Sequence, residues 1–228
     1  MGYLKENAIV LRQTTVRRGD RWYTLLCSVA GKLDVLVRSA ASSKSKLAGH
    51  LSVGSKVAVM LAPGKSIIHL AGVKRLHNYH RPDQELASLL LRWSLLHRTD
   101  RLLFGNENIN DIYPVLDDVL SVLSDMSVSK QWQLADIYLA HLLGAVGLAP
   151  DFKTAGHYFS LGQARSSRQV DDWPQLLSSE TMTAAAYWFS PAHNWPDKIV
   201  YWQKISKPKG LFAQFHSLVD NYYRYQTS

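Results

Sequence analysis

Cysteine is nearly absent from this chain of 228 residues, in which Cys27 is the single example. An internal disulfide is therefore impossible, and a four-cysteine zinc site is excluded. Cys27 follows Leu25 and Leu26, so we interpret it as a small buried hydrophobic residue rather than a nucleophile, which would need a nearby base. We expect neither a metal nor a cofactor.

Long apolar segments are also missing. No run of roughly 18 uncharged apolar residues occurs, so no membrane span is predicted. The first apolar stretch, residues 9–11, is too short for the core of a signal peptide. Together with the low cysteine content, these features predict a cytoplasmic protein without a membrane partner.

Sequence motifs of catalysis and nucleotide binding are lacking as well. The chain contains no G-x-x-x-x-G-K-[ST], G-x-G-x-x-G, G-x-S-x-G or H-E-x-x-H pattern. His77 and His80 are the closest histidine pair, but no cluster of carboxylates or cysteines accompanies them, so we interpret them as solvated. Asp117 and Asp118 would point about 100° apart on a helix and would not form a catalytic pair.

Acidic residues are scarce in the first third of the chain. Residues 1–79 contain thirteen Lys and Arg but three Asp and Glu, whereas the remainder is slightly acidic and the formal net charge is +8. An unbalanced basic region favours a polyanionic partner, and nucleic acid is the most direct choice. The alternative interpretation is an ordinary solvated surface.

Strand-like patterns fill this basic region. Residues 8–16, 21–29, 32–40, 55–63 and 66–76 are rich in β-branched and aromatic residues, and turn sequences such as RRGD and Pro63-Gly64 separate them. Five strands in about eighty residues suggest an OB-fold barrel, although other small five-stranded barrels fit the same count.

The pattern becomes helical after residues 80–83. Apolar residues recur at helical spacing in residues 82–104, 111–126, 129–150 and 211–226, whereas residues 151–180 are polar and weakly periodic. In the first of these helices, one apolar face is predicted to contain Leu86, Leu89, Leu90, Trp93, Leu96 and Leu103. We therefore predict an α+β protein with an OB-fold nucleic-acid-binding domain at residues 1–79 and an all-α domain at residues 80–228.

The candidate DNA-binding residues belong to the strands and loops of the first domain. They are Arg12, Arg17, Arg18, Arg21, Lys32, Arg38, Lys44 and Lys46. We interpret the SSKSK loop at residues 42–46 as a flexible, acid-free clamp for phosphates. Trp22 and Tyr23 are candidates for base stacking, and strand alternation requires that one of the two face inward.

The order of these motifs resembles the RecO family of bacterial recombination mediators. The resemblance rests on Gly31-Lys32-Leu33, Arg38, Lys44-Ser45-Lys46-Leu47 and Gly49. The segment LLGAVGLAPDF at residues 142–152 also resembles the Gly-Leu-x-Pro element of that family. The likeness is good over residues 5–155 and faint beyond them.

The resemblance implies an OB-fold followed by helices, and a DNA repair protein without catalytic activity. It implies binding to single- and double-stranded DNA, annealing of complementary strands, and help in loading RecA onto DNA coated by single-strand-binding protein (SSB). RecR and the SSB carboxy-terminal tail would be direct partners, and RecA an indirect one. Many members carry a four-cysteine zinc module after the Gly-Leu-x-Pro element, so residues 151–180 would be a degenerate remnant of it without metal.

Two other functions compete with this interpretation. An RNA-binding or ribosome-associated OB-fold protein would share the basic barrel. A metal-dependent nuclease is disfavoured, because phosphodiester cleavage needs carboxylates beside the phosphate and the basic third is poor in acids.

The resemblance also implies a site for the SSB tail, which would need an apolar groove with a basic rim. The candidates for that rim are Arg92, Arg98, Arg101, Lys204, Lys207 and Lys209.

Overall fold

The computed structural model of the chain describes residues 2–16, 19–42, 45, 47–79, 85–105, 111–152, 158–167, 174–205, 207–208 and 210–227. It contains two compact units, Met1–Val128 and Ser129–Ser228. No helix within the described ranges is long and apolar enough to cross a membrane.

Five strands close into a barrel in the first unit. They are β1 (Leu4–Thr15), β2 (Arg21–Cys27), β3 (Gly31–Val37), β4 (Ser55–Pro63) and β5 (Ile68–Asn78). The order around the barrel is β1-β2-β3-β5-β4, in which β3 and β5 run parallel and the other neighbours run antiparallel. This OB-like barrel confirms the predicted fold class of the amino-terminal region.

Alternation along the strands fills the barrel interior. In β3, Leu33, Val35 and Val37 are buried, whereas Asp34 between them is exposed. Cys27 belongs to the same core, and burial, followed by the neighbouring Glu6, raises the pKa of its thiol to about 12. Cys27 is therefore the buried hydrophobic residue that the sequence predicts.

Strand β1 is buried on both faces in its middle. Ala8 and Val10 point into the barrel core, and Ile9 and Leu11 are also buried, with 0% and 3% of their surface exposed. Helix α1 (Leu86–Leu102) packs on this strand, and α2 (Ile112–Leu123) belongs to the same unit. The last barrel strand thus ends where the sequence changes periodicity, but the compact unit continues to Val128. The division into domains at residues 1–79 and 80–228 stays a prediction.

Helix α1 buries only part of the predicted apolar face, in which Leu96 and Leu103 are buried and Leu89 is partly buried. Leu86, Leu90 and Trp93 are 70%, 60% and 64% exposed, while Leu91 and Leu95 are buried. Leucines occur on nearly every side of this helix, so apolar spacing alone did not identify the side that contacts the barrel.

The second unit combines helices with a small sheet. Its elements are α3 (Val128–Ala145), β6 (Tyr158–Ser160), β7 (Arg165–Ser167), β8 (Pro174–Leu176), α4 (Ser179–Phe189), α5 (Trp195–Lys204) and α6 (Leu211–Thr227). The helices confirm the predicted helical region. The sheet, of order β7-β6-β8, lies within residues 151–180, where strands of three residues are too short to produce a recognisable alternation.

Aromatic rings form much of the core of the second unit. Trp188 packs against Phe215 with ring centroids 4.5 Å apart, and Phe189 contacts Tyr222 at 5.9 Å. Gly144 of α3 approaches the backbone of Phe189 so closely that an added Cβ would lie 2.1 Å from its carbonyl oxygen. These contacts hold α3, α4 and α6 together.

Candidate nucleic-acid interface

The structure describes half of the predicted DNA-binding residues. Arg12 lies on β1, Arg21 begins β2, Lys32 lies on β3 and Arg38 follows the end of β3. Arg17, Arg18, Lys44 and Lys46 lie outside the described residues. In the sequence, Arg17 and Arg18 directly precede Gly19, and Lys44 and Lys46 follow Ser42 within four residues.

Two basic segments that are distant in sequence are hydrogen-bonded to each other. The Ala41 N–H donates to the Gly19 carbonyl at 2.8 Å, and the Ser39 N–H donates to Asp20 Oδ1 at 2.7 Å. Gly19 has a φ of +80°, which favours glycine in this turn. The turn between β1 and β2 therefore lies beside the segment that leads into the SSKSK loop. We call residues 19–21 and 38–42 the joined-turn surface.

Arg21 and Arg38 bring two guanidinium groups to the joined-turn surface. Arg21 pairs with Val37 across β2 and β3, and Arg38 is the next residue, so their backbones are about one strand spacing apart. Arg38 is exposed. Arg21 is partly buried, and its Nε is buried without a hydrogen-bond partner among the described residues, so only the outer part of the guanidinium is available to a ligand. Guanidinium groups suit phosphate oxygens because they can donate two parallel hydrogen bonds.

The two aromatic candidates face opposite sides of β2. Tyr23 is fully buried in the barrel core, so the stacking role considered for it is not available. Trp22 is partly exposed on the outer face, where the strand register places it opposite Leu36, with His69 next to Leu36 on β5. Trp22 is therefore the aromatic side chain that could contact a base from outside the barrel.

Arg12 and Lys32 are engaged by the end of α1. Arg12 Nε lies 2.7 Å from Asp100 Oδ2, and Lys32 Nζ lies 2.9 Å from Asp100 Oδ1. Lys32 Nζ also donates to the carbonyl oxygens of Asp100 and Leu103, at 2.5 and 2.7 Å. These contacts join the barrel to the last turn of α1. They favour a structural role for both cations, and their predicted DNA binding stays untested.

One exposed cation near this surface was not singled out from the sequence. Ile68 pairs with Val35, so the turn between β4 and β5, which carries the exposed Lys65, lies beside β3. In OB-folds the loops after strands 1 and 4 flank the ligand-binding face. The sequence predicts a turn at Pro63-Gly64, directly before Lys65. That this turn lies beside β3 follows only from the parallel pairing of β3 and β5.

The residues considered for catalysis or metal binding have structural contacts instead. Asp117 accepts hydrogen bonds from Lys56 Nζ, at 2.5 Å, and from the Tyr79 hydroxyl. Burial, together with Asp117, raises the pKa of Tyr79. His77 packs edge-on against Tyr79, while His80 lies outside the described residues. Within the described part of the chain, no group of three or more His, Cys, Asp or Glu is arranged to hold a metal ion.

Comparison with known proteins points to one family. Residues 1–79 match the family model described as "Recombination protein O N terminal". A protein named DNA repair protein RecO from Dehalococcoides mccartyi is 27% identical over 151 residues, which are 65% of this chain and 58% of that protein. The protein of the same name from Cutibacterium acnes is 27% identical over 152 residues, which are 64% of this chain and 62% of that protein.

A third relative agrees with these two. DNA repair protein RecO from Chlorobium limicola is 23% identical over 150 residues, 64% of this chain and 57% of that protein. The matched part of the chain thus spans about three fifths of the length of these curated relatives. The OB-like barrel, the match over residues 1–79 and the relatives together support a protein of the RecO family.

Proposed function

We propose that this protein binds DNA at the joined-turn surface and acts in recombinational repair as a mediator rather than as an enzyme. The observation that carries the proposal is the pair of hydrogen bonds from Ser39 and Ala41 to Asp20 and Gly19. Through these bonds, the RRGD turn and the segment that leads into the SSKSK loop lie side by side at one end of the barrel. Six of the eight predicted DNA-binding cations belong to these two segments or are next to them in sequence.

The charge balance of this surface suits a phosphate backbone. Asp20 is one of three acids in residues 1–79, and its carboxylate accepts the Ser39 N–H. Arg21, Arg38 and the neighbouring cations are thus opposed by one carboxylate that already holds the turn. Contacts of this type give affinity with little dependence on sequence, and Trp22 adds stacking that every base can use.

The finer activities follow from the family. The relatives are named DNA repair proteins, and the resemblance of the basic loop supports strand annealing and assistance to RecA on SSB-coated DNA. RecR and the SSB tail are the proposed direct partners. Absence of catalytic turnover is part of the proposal, since no catalytic motif is present in the sequence.

The candidate cations for the basic rim of the proposed SSB-tail groove differ in their surroundings. Arg92 is 5% exposed and donates to the Tyr79 carbonyl at 2.5 Å and to Ser124 Oγ at 2.7 Å, so it serves the interior of the first unit. Lys204 and Lys207 are exposed in the second unit, and Lys207 Nζ lies 5.6 Å from the centroid of the Trp202 ring. Lys209 lies outside the described residues. We favour Lys204 and Lys207, because cations beside an aromatic ring suit an acidic peptide with an apolar end.

A salt series tests DNA binding at the joined-turn surface. We expect Arg21→Ala/Arg38→Ala to weaken binding of every single-stranded sequence similarly and to flatten the dependence of log K on log salt. Two lost phosphate contacts correspond to a slope change of about 1.4 on single strands. Lys130→Ala/Lys204→Ala, which removes the same charge from the second unit, is the matched control.

Two outcomes would contradict the proposal. An unchanged slope in the Arg21/Arg38 variant would mean that these residues do not contact phosphates. Stronger binding to RNA than to DNA of the same sequence would favour the RNA-binding alternative, since RNA alone offers the 2′-hydroxyl. Annealing of complementary oligonucleotides, measured on the same variants, links binding to the proposed activity.

A further inference from the structure

An open cleft of about 550 Å³ lies on the outer surface of the barrel, away from the joined-turn surface. Strands β1, β4 and β5 form it, and the turn between β2 and β3 forms one edge through Ser28 and Val29. That turn lies at the opposite end of β2 from Arg21, where the joined-turn surface begins. The cleft is therefore a separate surface of the same barrel.

The strand register defines two rows of side chains across the cleft. Lys5, Met60 and Gly72 form one row over β1, β4 and β5. Asn7, Ala58 and Lys74 form the next row. The two lysines thus stand on the outer strands at diagonal corners. Two strand spacings, about 10 Å, separate β1 from β5.

The charge exposed in the cleft has one sign. Lys5 and Lys74 are exposed, and neither forms an ion pair with any residue that the structure describes. The acid of the lining, Glu6, is 7% exposed, and its Oε2 accepts hydrogen bonds from Ser28 Oγ and the Val29 N–H, each at 3.0 Å. Glu6 therefore holds the turn, while the cleft presents cations to a ligand.

The floor between the lysines is low and apolar. It consists of Ala58, Met60 and Gly72, and a Cβ added at Gly72 would lie 3.5 Å from Met60 Cε. The Met60 side chain therefore lies beside Gly72 and covers part of the floor. Tyr3, two residues before Lys5, is 63% exposed. Cations on either side of an apolar floor, with an aromatic ring near by, are typical of surfaces that follow a single nucleic-acid strand.

We propose that this β1-β4-β5 cleft is a second nucleic-acid-binding surface that takes one single strand, with Lys5 and Lys74 on its phosphates and Met60 under a base. Binding at the cleft goes beyond the joined-turn surface and does not depend on it, whereas a count of two strands per chain rests on both surfaces. Because the two surfaces lie on different sides of one barrel, a single chain would hold two strands at once. That arrangement would place complementary strands on one molecule.

The test replaces the centre of the floor. Met60→Glu adds a carboxylate between the two lysines, and Met60→Gln has nearly the same shape without the charge. With an oligo-dT of about four nucleotides, the lower end of the site sizes of OB-folds, we expect two bound strands per chain for the wild type and for Met60→Gln at low salt. We expect one strand for Met60→Glu and for Lys5→Ala/Lys74→Ala. Thermal unfolding of each variant checks the fold.

The outcomes separate this proposal from binding at the joined-turn surface. Equal stoichiometry for Met60→Glu and Met60→Gln would overturn the cleft, even if Arg21→Ala/Arg38→Ala lost a strand. Loss of a strand in Met60→Glu alone would support the cleft and count against the joined-turn surface. Binding of a poly-glutamate peptide that is sensitive to Met60→Glu, without binding of oligo-dT there, would overturn the proposal in favour of an acidic protein partner.

Discussion

Basic side chains stand on the surface of the barrel, whereas in the carboxy-terminal unit one lysine lies in the core. Arg38 of the barrel is exposed, but Lys198 of α5 has 0% of its surface exposed, and its Nζ lies 3.0 Å from His141 Nδ1 on α3. Burial lowers the pKa of Lys198 to about 8. Burial and then Lys198 lower the pKa of His141 to about 4.

This difference shows that the same residue type serves two purposes in one chain. Surface cations of the barrel keep their charge for a ligand and cost little stability. The buried pair makes the second unit sensitive to pH, since the folded state disfavours the protonated form of both groups. Basic composition therefore indicates a binding surface only where the cations are exposed and not already paired.

The largest expected effect is a loss of stability in the second unit, with the barrel unchanged. In Gly144→Ala the new Cβ would lie 2.1 Å from the Phe189 carbonyl oxygen, so α3 must move. We expect a loss of about 3 kcal/mol in the free energy of unfolding, measured by chemical denaturation. Gly162→Ala, where the added Cβ meets Tyr225 at an ordinary 3.8 Å, is the control. Equal stability of the two variants would contradict the packing described for α3.

The next effect concerns the barrel and its loop. Changing Arg38, Lys44 and Lys46 together to alanine removes three proposed phosphate contacts, so the salt dependence of single-strand binding should flatten by roughly 2. Thermal unfolding should change little, because exposed loop residues have few packing contacts. If the slope stays at the wild-type value, the loop is a solvated connection and the path of the DNA must be sought elsewhere.

A third prediction concerns pH. Unfolded chains protonate histidine near pH 6.5, whereas folded His141 resists protonation until about pH 4, so stability of the second unit should fall as the pH drops through this window. Folded Lys198 loses its proton near pH 8 and the unfolded chain near 10.5, so stability should rise between these values. Hydrogen exchange of α3 and α5 amides measures both. Lys198→Met should abolish the rise above pH 8; its persistence would show that another group causes it.

The smallest expected effect tests whether Arg12 of the barrel contacts only helix α1 or also DNA. Arg12 is paired with Asp100, and its side chain is 47% exposed, so Arg12→Ala should cost no more than about 1 kcal/mol of stability. If Arg12 serves α1 rather than DNA, the salt slope of binding should remain that of the wild type. A slope reduced by about 0.7 would return Arg12 to the interface.

The sequence predicted the barrel because its signals are local. Alternation in β3 and the Gly-containing turns identified the strands within a few residues. The roles of Arg12 and Lys32 depend on Asp100, which is 88 and 68 residues away, and no local pattern reports such a contact. The joined-turn surface was predicted as separate basic segments, and only the hydrogen bonds to Gly19 and Asp20 bring them together.

The double-sided burial of β1 has a consequence for the smallest fragment that can be made. A fragment that ends at residue 79, where the family match ends, would expose Ile9 and Leu11 to water and leave Lys32 without its acceptors on α1. Such a fragment would have an exposed apolar outer face and would tend to aggregate. We expect a soluble amino-terminal fragment to extend through α2, and limited proteolysis to preserve a core of that length rather than the bare barrel.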